Sequence, residues 1–260
     1  QLVSGQLDMD RLDYLKRDSF YTGVPEGTVN AQRLIAMLNV KKDKLVVAEK
    51  GIYSVENFLV ARRLMYWQVY LHKTGIVAEQ LLVRVLKRAK QLSAVGIDLP
   101  ASISLKFFLK NTINSNDFSE HVLDTFSKLD DYDIISAMKM WVGNDDFVLN
   151  NLSKMLLNRD LLKVKVKSKP FSIQKIEEKR KNLTEIFNIS EEEASYFVFT
   201  GKLENQAYSM KKDTINLLKK NGKIIDVAKA SDQLNLEALS KSVVKYYMCY
   251  PKNNTHSYRD

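Results

Sequence analysis

Gln6-Leu7-Asp8-Met9-Asp10-Arg11-Leu12-Asp13-Tyr14-Leu15-Lys16-Arg17-Asp18-Ser19 sets the frame for the rest of the chain. Read as a helix, it places Asp10, Tyr14 and Asp18 four residues apart on one face. A carboxylate at each end, a phenol between and Arg11 beside them can hold a divalent metal and grip phosphate. The same charges also suit a solvated amphipathic helix with i, i+4 ion pairs.

A second stretch repeats the pattern. In Val55-Glu56-Asn57-Phe58-Leu59-Val60-Ala61-Arg62-Arg63-Leu64-Met65-Tyr66-Trp67-Gln68-Val69-Tyr70-Leu71-His72-Lys73-Thr74, residues Arg62, Tyr66 and Tyr70 again recur every four positions. Arg62 would offer a fork of donors to a phosphate. An aromatic stripe packed in a helical core is the structural alternative.

The first stretch reads D-x-D-R-x-D-Y-x-x-R-D-S and runs on to Tyr21-Thr22-Gly23-Val24. This wording resembles the last motif of the HD-domain phosphohydrolases, and in particular their deoxynucleoside-triphosphatase branch. The second stretch is similar to that family's E-x-F-x-x-A-R-x-x-M-Y-x-x-V-Y-x-H-K helix. Leu129–Ile134 and Leu157–Lys163 follow in the family's order. The resemblance implies metal-dependent hydrolysis of nucleotide phosphoesters, with (deoxy)nucleoside triphosphates as substrates. It implies a divalent metal (Mn, Mg, Fe, Zn or Ni) with Asp10 as catalytic ligand. Arg11, Tyr14, Asp18, Arg62, Tyr66 and Tyr70 become substrate-binding residues, Tyr70 near the sugar. His72, Lys73, Arg159 and Lys163 match an allosteric nucleotide site between subunits, and a homo-oligomer is expected.

Two positions depart from the deoxynucleotidase pattern. Tyr66 replaces a His near the leaving group, and Leu71 replaces a Gln that reads the sugar. The family's remaining metal ligands, a His and a His-Asp pair, precede the motif. This sequence has no His-Asp dipeptide, and its histidines are His72, His121 and His256. It therefore reads as the C-terminal part of a longer protein, inactive by itself. The rival from another class is a non-catalytic nucleotide- or nucleic-acid-binding assembly module.

Composition sets wider bounds. A chain of 260 residues can bury a real core. No apolar run is long enough to span a bilayer, and no signal-peptide pattern is present. Cys249 is the sole cysteine, which excludes an internal disulfide and fits a reducing, cytoplasmic setting. The formal charge of +9 suits an anionic partner such as nucleotide, nucleic acid or headgroup. Much of the excess lies in Lys163–Lys181 and Lys211–Lys223.

The expected class is mainly α, a partial HD-type helical core over 1–160, followed by a smaller α+β domain over 161–250 and a mobile tail over 251–260. Helices are expected over 1–20, up to Met37, through Arg62 with a bend at Thr74-Gly75, and over most of 76–157. Lys44–Ala48 reads as a strand of a hairpin. Leu162-Lys163-Val164-Lys165-Val166-Lys167 alternates as a strand with one wet face. Ser172–Ile186 reads as a helix, and Tyr196–Thr200 as a strand turning at Gly201. Asn221-Gly222 marks a hairpin, and residues 240–250 end as a helix or a last strand.

Overall fold

The computed structural model describes residues 1–206, 208–210, 213–231 and 241–252. It is mainly α with a smaller α+β part. Two compact units emerge: Gln1–His72 with Lys202–Lys245, and Lys73–Gly201 with the chain from Tyr246 onward.

The first unit is built around α1 (Met9–Thr22) and α3 (Ile52–Met65). Helix α1 begins at Met9 rather than at the chain start. The Asp8 carboxylate caps it by accepting from the Arg11 amide at 2.7 Å, and Gly5 N donates to the same carboxylate at 2.9 Å. Four donors are orphaned at any helix start, and this side chain fixes where the helix opens. Leu12 and Leu15 are buried, and the helix stops at Gly23, which takes a left-handed φ of 69°. Between α1 and α3 lie α2 (Ala31–Ala36), capped by Asn30, and the hairpin β1 (Leu38–Lys41) and β2 (Lys44–Ala48). Lys42 and Asp43 form its turn with φ of 52° and 55°, the geometry a two-residue hairpin loop demands.

Later residues complete this sheet. Strands β5 (Asn216–Leu218) and β6 (Ile224–Asp226) form the hairpin expected around Asn221-Gly222. β5 then pairs in parallel with β2, giving the order β1-β2-β5-β6. Val47, Phe58, Leu59, Met65, Leu217 and Val227 meet in one core beneath it.

The second unit centres on α4 (Lys73–Ala94), whose buried Val77, Leu81, Val85 and Ala89 recur every four residues. Around it are α5 (Ile103–Lys110), α6 (Glu120–Ser127), α7 (Asp131–Trp141) and α8 (Phe147–Leu157). Asp130 and Asp133 cap α7 reciprocally. Trp141 is fully buried and donates its indole N–H to Pro100 O at 2.9 Å. β3 (Lys163–Lys167) lies against α4, followed by α9 (Ile173–Phe187), α10 (Glu191–Phe197), β4 (Phe199–Asn205), α11 (Val227–Ala230, in the first unit) and β7 (Val243–Tyr250). The order in this sheet is β3-β7-β4.

Several expectations are corrected. The units do not divide at residue 160, because the β5–β6 hairpin joins β2 while β3 pairs with Tyr246–Tyr250. The bend expected at Thr74-Gly75 comes earlier, at Leu71-His72, and Gly75 continues α4. Tyr196 and Phe197 end α10, which the Ser190–Glu193 capping box starts. Gly201 is inside β4 rather than at a turn: a Cβ there would overlap the Tyr247 ring. Residues 240–250 resolve as the strand β7 from Val243. Residues 253–260 of the expected tail lie outside the described residues.

Candidate active site

Helices α1 and α3 pack against each other in the first unit and bring together most of the residues singled out above. At the end of α3 the backbone changes pitch. Tyr66–Tyr70 form a π-helical turn, closed by Leu71 N to Tyr66 O at 2.7 Å. Such single wide turns are concentrated at functional sites, because the extra residue re-aims its neighbours. Here the Tyr66 and Tyr70 rings meet edge-to-face at 5.1 Å. Tyr14 from α1 meets Tyr70 in the same manner at 5.7 Å.

The Tyr70 hydroxyl donates to the Asp18 carboxylate at 2.8 Å. Burial, and then this hydrogen bond, push the phenol well above its ordinary pKa. Tyr14 is raised as well, first by burial and then by Tyr66. Both phenols therefore remain protonated, as donors.

Arg11 is held from behind. Its Nε donates to Gly5 O at 2.8 Å and to the buried Asp8 carboxylate at 3.2 Å. Arg62 is in a different state. Its Nε and Nη1 are buried with no hydrogen-bond partner, and its guanidinium lies 5.8 Å from the centre of the Tyr66 ring. Burial, followed by the charge of Arg11, lowers its pKa. The two guanidiniums are thus close enough for Arg11 to depress the pKa of Arg62, and Arg62 has two buried donors that the protein leaves unsatisfied. Burying such donors without a partner costs about 1–3 kcal/mol each, more for a charged group, and an anion between the two arginines would remove that cost.

Arg11, Tyr14, Asp18, Arg62, Tyr66 and Tyr70 are accordingly brought together. Asp10 is exposed, in the first turn of α1. Among the described residues no group of three or more His, Cys, Asp and Glu side chains could hold a metal. One carboxylate does not make a site for a divalent ion, so the residues described here do not by themselves fit the expected metal. His72, Lys73, Arg159 and Lys163 are all exposed, Arg159 with a left-handed φ of 56°. Asp8, which orients Arg11, was not among the expected residues. Its signal was present in the sequence, as an Asp immediately before an amphipathic helix.

Residues 29–98 match the family described as the HD associated region. The crystal structure of a phosphohydrolase from Bacteroides thetaiotaomicron is 50% identical, with a TM-score of 0.89, over 97% of this chain and 63% of that one. In both comparisons the chain is similar to HD-domain phosphohydrolases. The protein YwfO of Bacillus subtilis is 28% identical over 97% of this chain and 57% of its own length. A deoxynucleoside triphosphate triphosphohydrolase SAMHD1 homolog from Dictyostelium discoideum is 32% identical over 36% of this chain and 18% of its own. The chain thus spans somewhat under two thirds of the length of the relatives that it matches over nearly its whole extent. Among the described residues no helix is long and apolar enough to cross a membrane.

Proposed function

We propose that the protein containing this chain hydrolyses nucleotide phosphoesters, with (deoxy)nucleoside triphosphates as substrates, and that this chain supplies the wall that grips the triphosphate. The observation that carries the reading is Arg62, whose buried Nε and Nη1 lack partners beside Arg11. Phosphate oxygens present several lone pairs in the geometry a guanidinium fork matches. In this reading Arg62 takes one phosphoryl group through its unpaired donors. Arg11, braced by Asp8 and Gly5, neutralises a second. The phenols of Tyr14 and Tyr66 donate to the same oxygens. Tyr70, fixed by Asp18, closes the wall on the sugar side. Holding the chain of phosphates at several points aligns the scissile bond before reaction.

A divalent metal with Asp10 among its ligands belongs to this reading and would polarise a phosphoryl oxygen. Its other ligands would have to come from residues not described here. Assembly into a homo-oligomer, with Arg159 and Lys163 at a subunit boundary, is the proposed quaternary state, and light scattering of the whole protein reads it directly.

The test is hydrolysis by the whole protein of a panel of nucleoside triphosphates with manganese or magnesium. Turnover of triphosphates is expected, and Asp10→Ala and Arg62→Ala should each lower it by about two orders of magnitude or more, as loss of an electrostatic contact to transferring phosphate does. No hydrolysis across the panel, with nucleotide still bound, would favour a non-catalytic nucleotide-binding module.

A further inference from the structure

The second unit carries a row of cations that the proposed hydrolytic site does not use. β3 is an edge strand with Val164 and Val166 half-buried and Lys163, Lys165 and Lys167 exposed. With about 3.4 Å between strand residues, successive lysines of the row stand about 6.8 Å apart. Opposite them on β7 are Tyr250, Met248 and Tyr246.

Other segments add to the row. Lys179 of α9 sets its ammonium 4.1 Å from the centre of the Tyr250 ring, and Lys165 sets its own 6.0 Å from the same ring. Lys167 is 5.1 Å from the Phe171 ring. Beyond Lys179 is a cavity of about 280 Å³ lined by Leu183, Ile186, Tyr250, Pro251 and Lys252. Lys252 is paired with Asp160 at 2.8 Å. Among the described residues Lys163, Lys165, Lys167 and Lys179 have no ion pair.

Lysines on an edge strand discourage pairing with another sheet. That role concerns charges on β3 alone. It does not account for Lys179 arriving from a helix, or for aromatic rings holding three of the ammonium groups in place.

We propose that this face binds single-stranded nucleic acid, the phosphate backbone running along Lys165, Lys167 and Lys179 with one base entering the cavity beside Leu183 and Ile186. The spacing of the lysines is close to twice the rise of about 3.4 Å per nucleotide along a strand, so successive lysines meet every second phosphate. Basic grooves tracking a backbone are the common device of proteins that hold single strands without reading sequence. A membrane surface fits less well, since it requires apolar side chains displayed beside the basic ones, and Val164 and Val166 turn away from the lysine face.

The test is fluorescence anisotropy of the whole protein with fluorescein-labelled single-stranded 20-mers of DNA and RNA, titrated with salt. Wild type should bind at low salt, and K165E/K167E/K179E should bind at least about tenfold more weakly, with a log–log salt slope smaller by about 2, since each lost phosphate contact removes about 0.7. K16E/K87E/K139E makes the same change in net charge elsewhere and should leave the slope unchanged. Arg62→Met should bind the strand as wild type does, which separates this face from the hydrolytic reading. If circular dichroism shows that the triple variant is unfolded, K167E alone is measured and should still weaken binding. Four results would overturn the proposal: no binding by wild type, equal binding by the folded β3–α9 variant, equal weakening in the control, or displacement of the strand by tripolyphosphate at matched phosphate concentration. Preferential capture by phosphatidylserine vesicles would likewise replace it with a membrane surface.

Discussion

Arg62 in the first unit and Arg88 in the second are both largely buried arginines on long helices, yet their surroundings are opposite. Arg88 donates to Asp146 through Nε and Nη2 at 3.1 and 2.6 Å and lies 5.8 Å from the Tyr196 ring. The hydrogen bond to Asp146 is the leading influence and raises its pKa. Arg62 has two buried nitrogens with no partner and a lowered pKa. A paired buried charge is finished as a structural element. An unpaired one is tolerated only where something else completes it. In the proposed reading the first arginine therefore marks a binding site, whereas the second is a joint between α4 and α8.

The largest expected effect tests the joint. Asp146 both receives Arg88 and caps α8 through Leu149 N at 2.8 Å. Asp146→Ala should destabilise the protein by about 3–5 kcal/mol, the usual loss when one partner of a buried pair is removed. Urea denaturation measures it. A loss under about 1 kcal/mol would mean that Arg88 is as unfinished as Arg62.

The closed interior of the second unit also predicts an alkaline limit. Burial lifts the Cys249 thiol from its ordinary 9.0 to about 12. The unfolded chain then loses this proton first, so the stability is intact below about pH 9 and declines as pH rises toward 12. The decline attributable to this group is about tenfold in the folding constant per pH unit, and Cys249→Ala should remove it. Denaturation at pH 8 and pH 10.5 compares the two slopes, and equal slopes would show that the thiol titrates normally.

A smaller effect sharpens the reading of Arg62's neighbourhood. Tyr70→Phe removes the hydrogen bond to Asp18 but keeps the ring against Tyr14 and Tyr66. Stability should change by about 1 kcal/mol. If Tyr70 positions the substrate, KM for triphosphates should rise several-fold while the melting temperature falls by only about 2–4 °C. An unchanged KM would leave Asp18 and Tyr70 as packing alone.

How much of this could be read in advance depends on sequence distance. Helix α1, the Arg62 helix, the β1–β2 hairpin and the alternating strand β3 follow from local periodicity and turn residues, though α1 opens at Met9 rather than at the chain start and the break after the Arg62 helix precedes Thr74-Gly75. The clustering of Arg11, Tyr14, Asp18, Arg62, Tyr66 and Tyr70 came from the resemblance together with the i, i+4 spacing. The π-turn was not legible, because it depends on which carbonyl Leu71 chooses. Nor was the parallel pairing of β2 with β5, since Val46 and Asn216 are brought together by tertiary packing. Gly201 suggested a turn because its steric reason, the ring of Tyr247, is remote in sequence. The pairing of Arg88 with Asp146 carried no signal, because the cap that an Asp before α8 suggests says nothing of a partner on α4.

The central claim, that Arg62 is held incomplete for a chain of phosphates, is tested most directly by thermal melting of the whole protein and its Arg62→Met variant, with and without inorganic tripolyphosphate. Without the anion, Arg62→Met should melt higher than wild type, because replacing a poorly compensated buried charge by an apolar side chain is stabilising by about 1–4 kcal/mol. With the anion at a hundredfold excess over its Kd, wild type should gain about 2.7 kcal/mol and the variant far less. A variant that melts lower than wild type on its own, and gains as much from tripolyphosphate, would contradict the account.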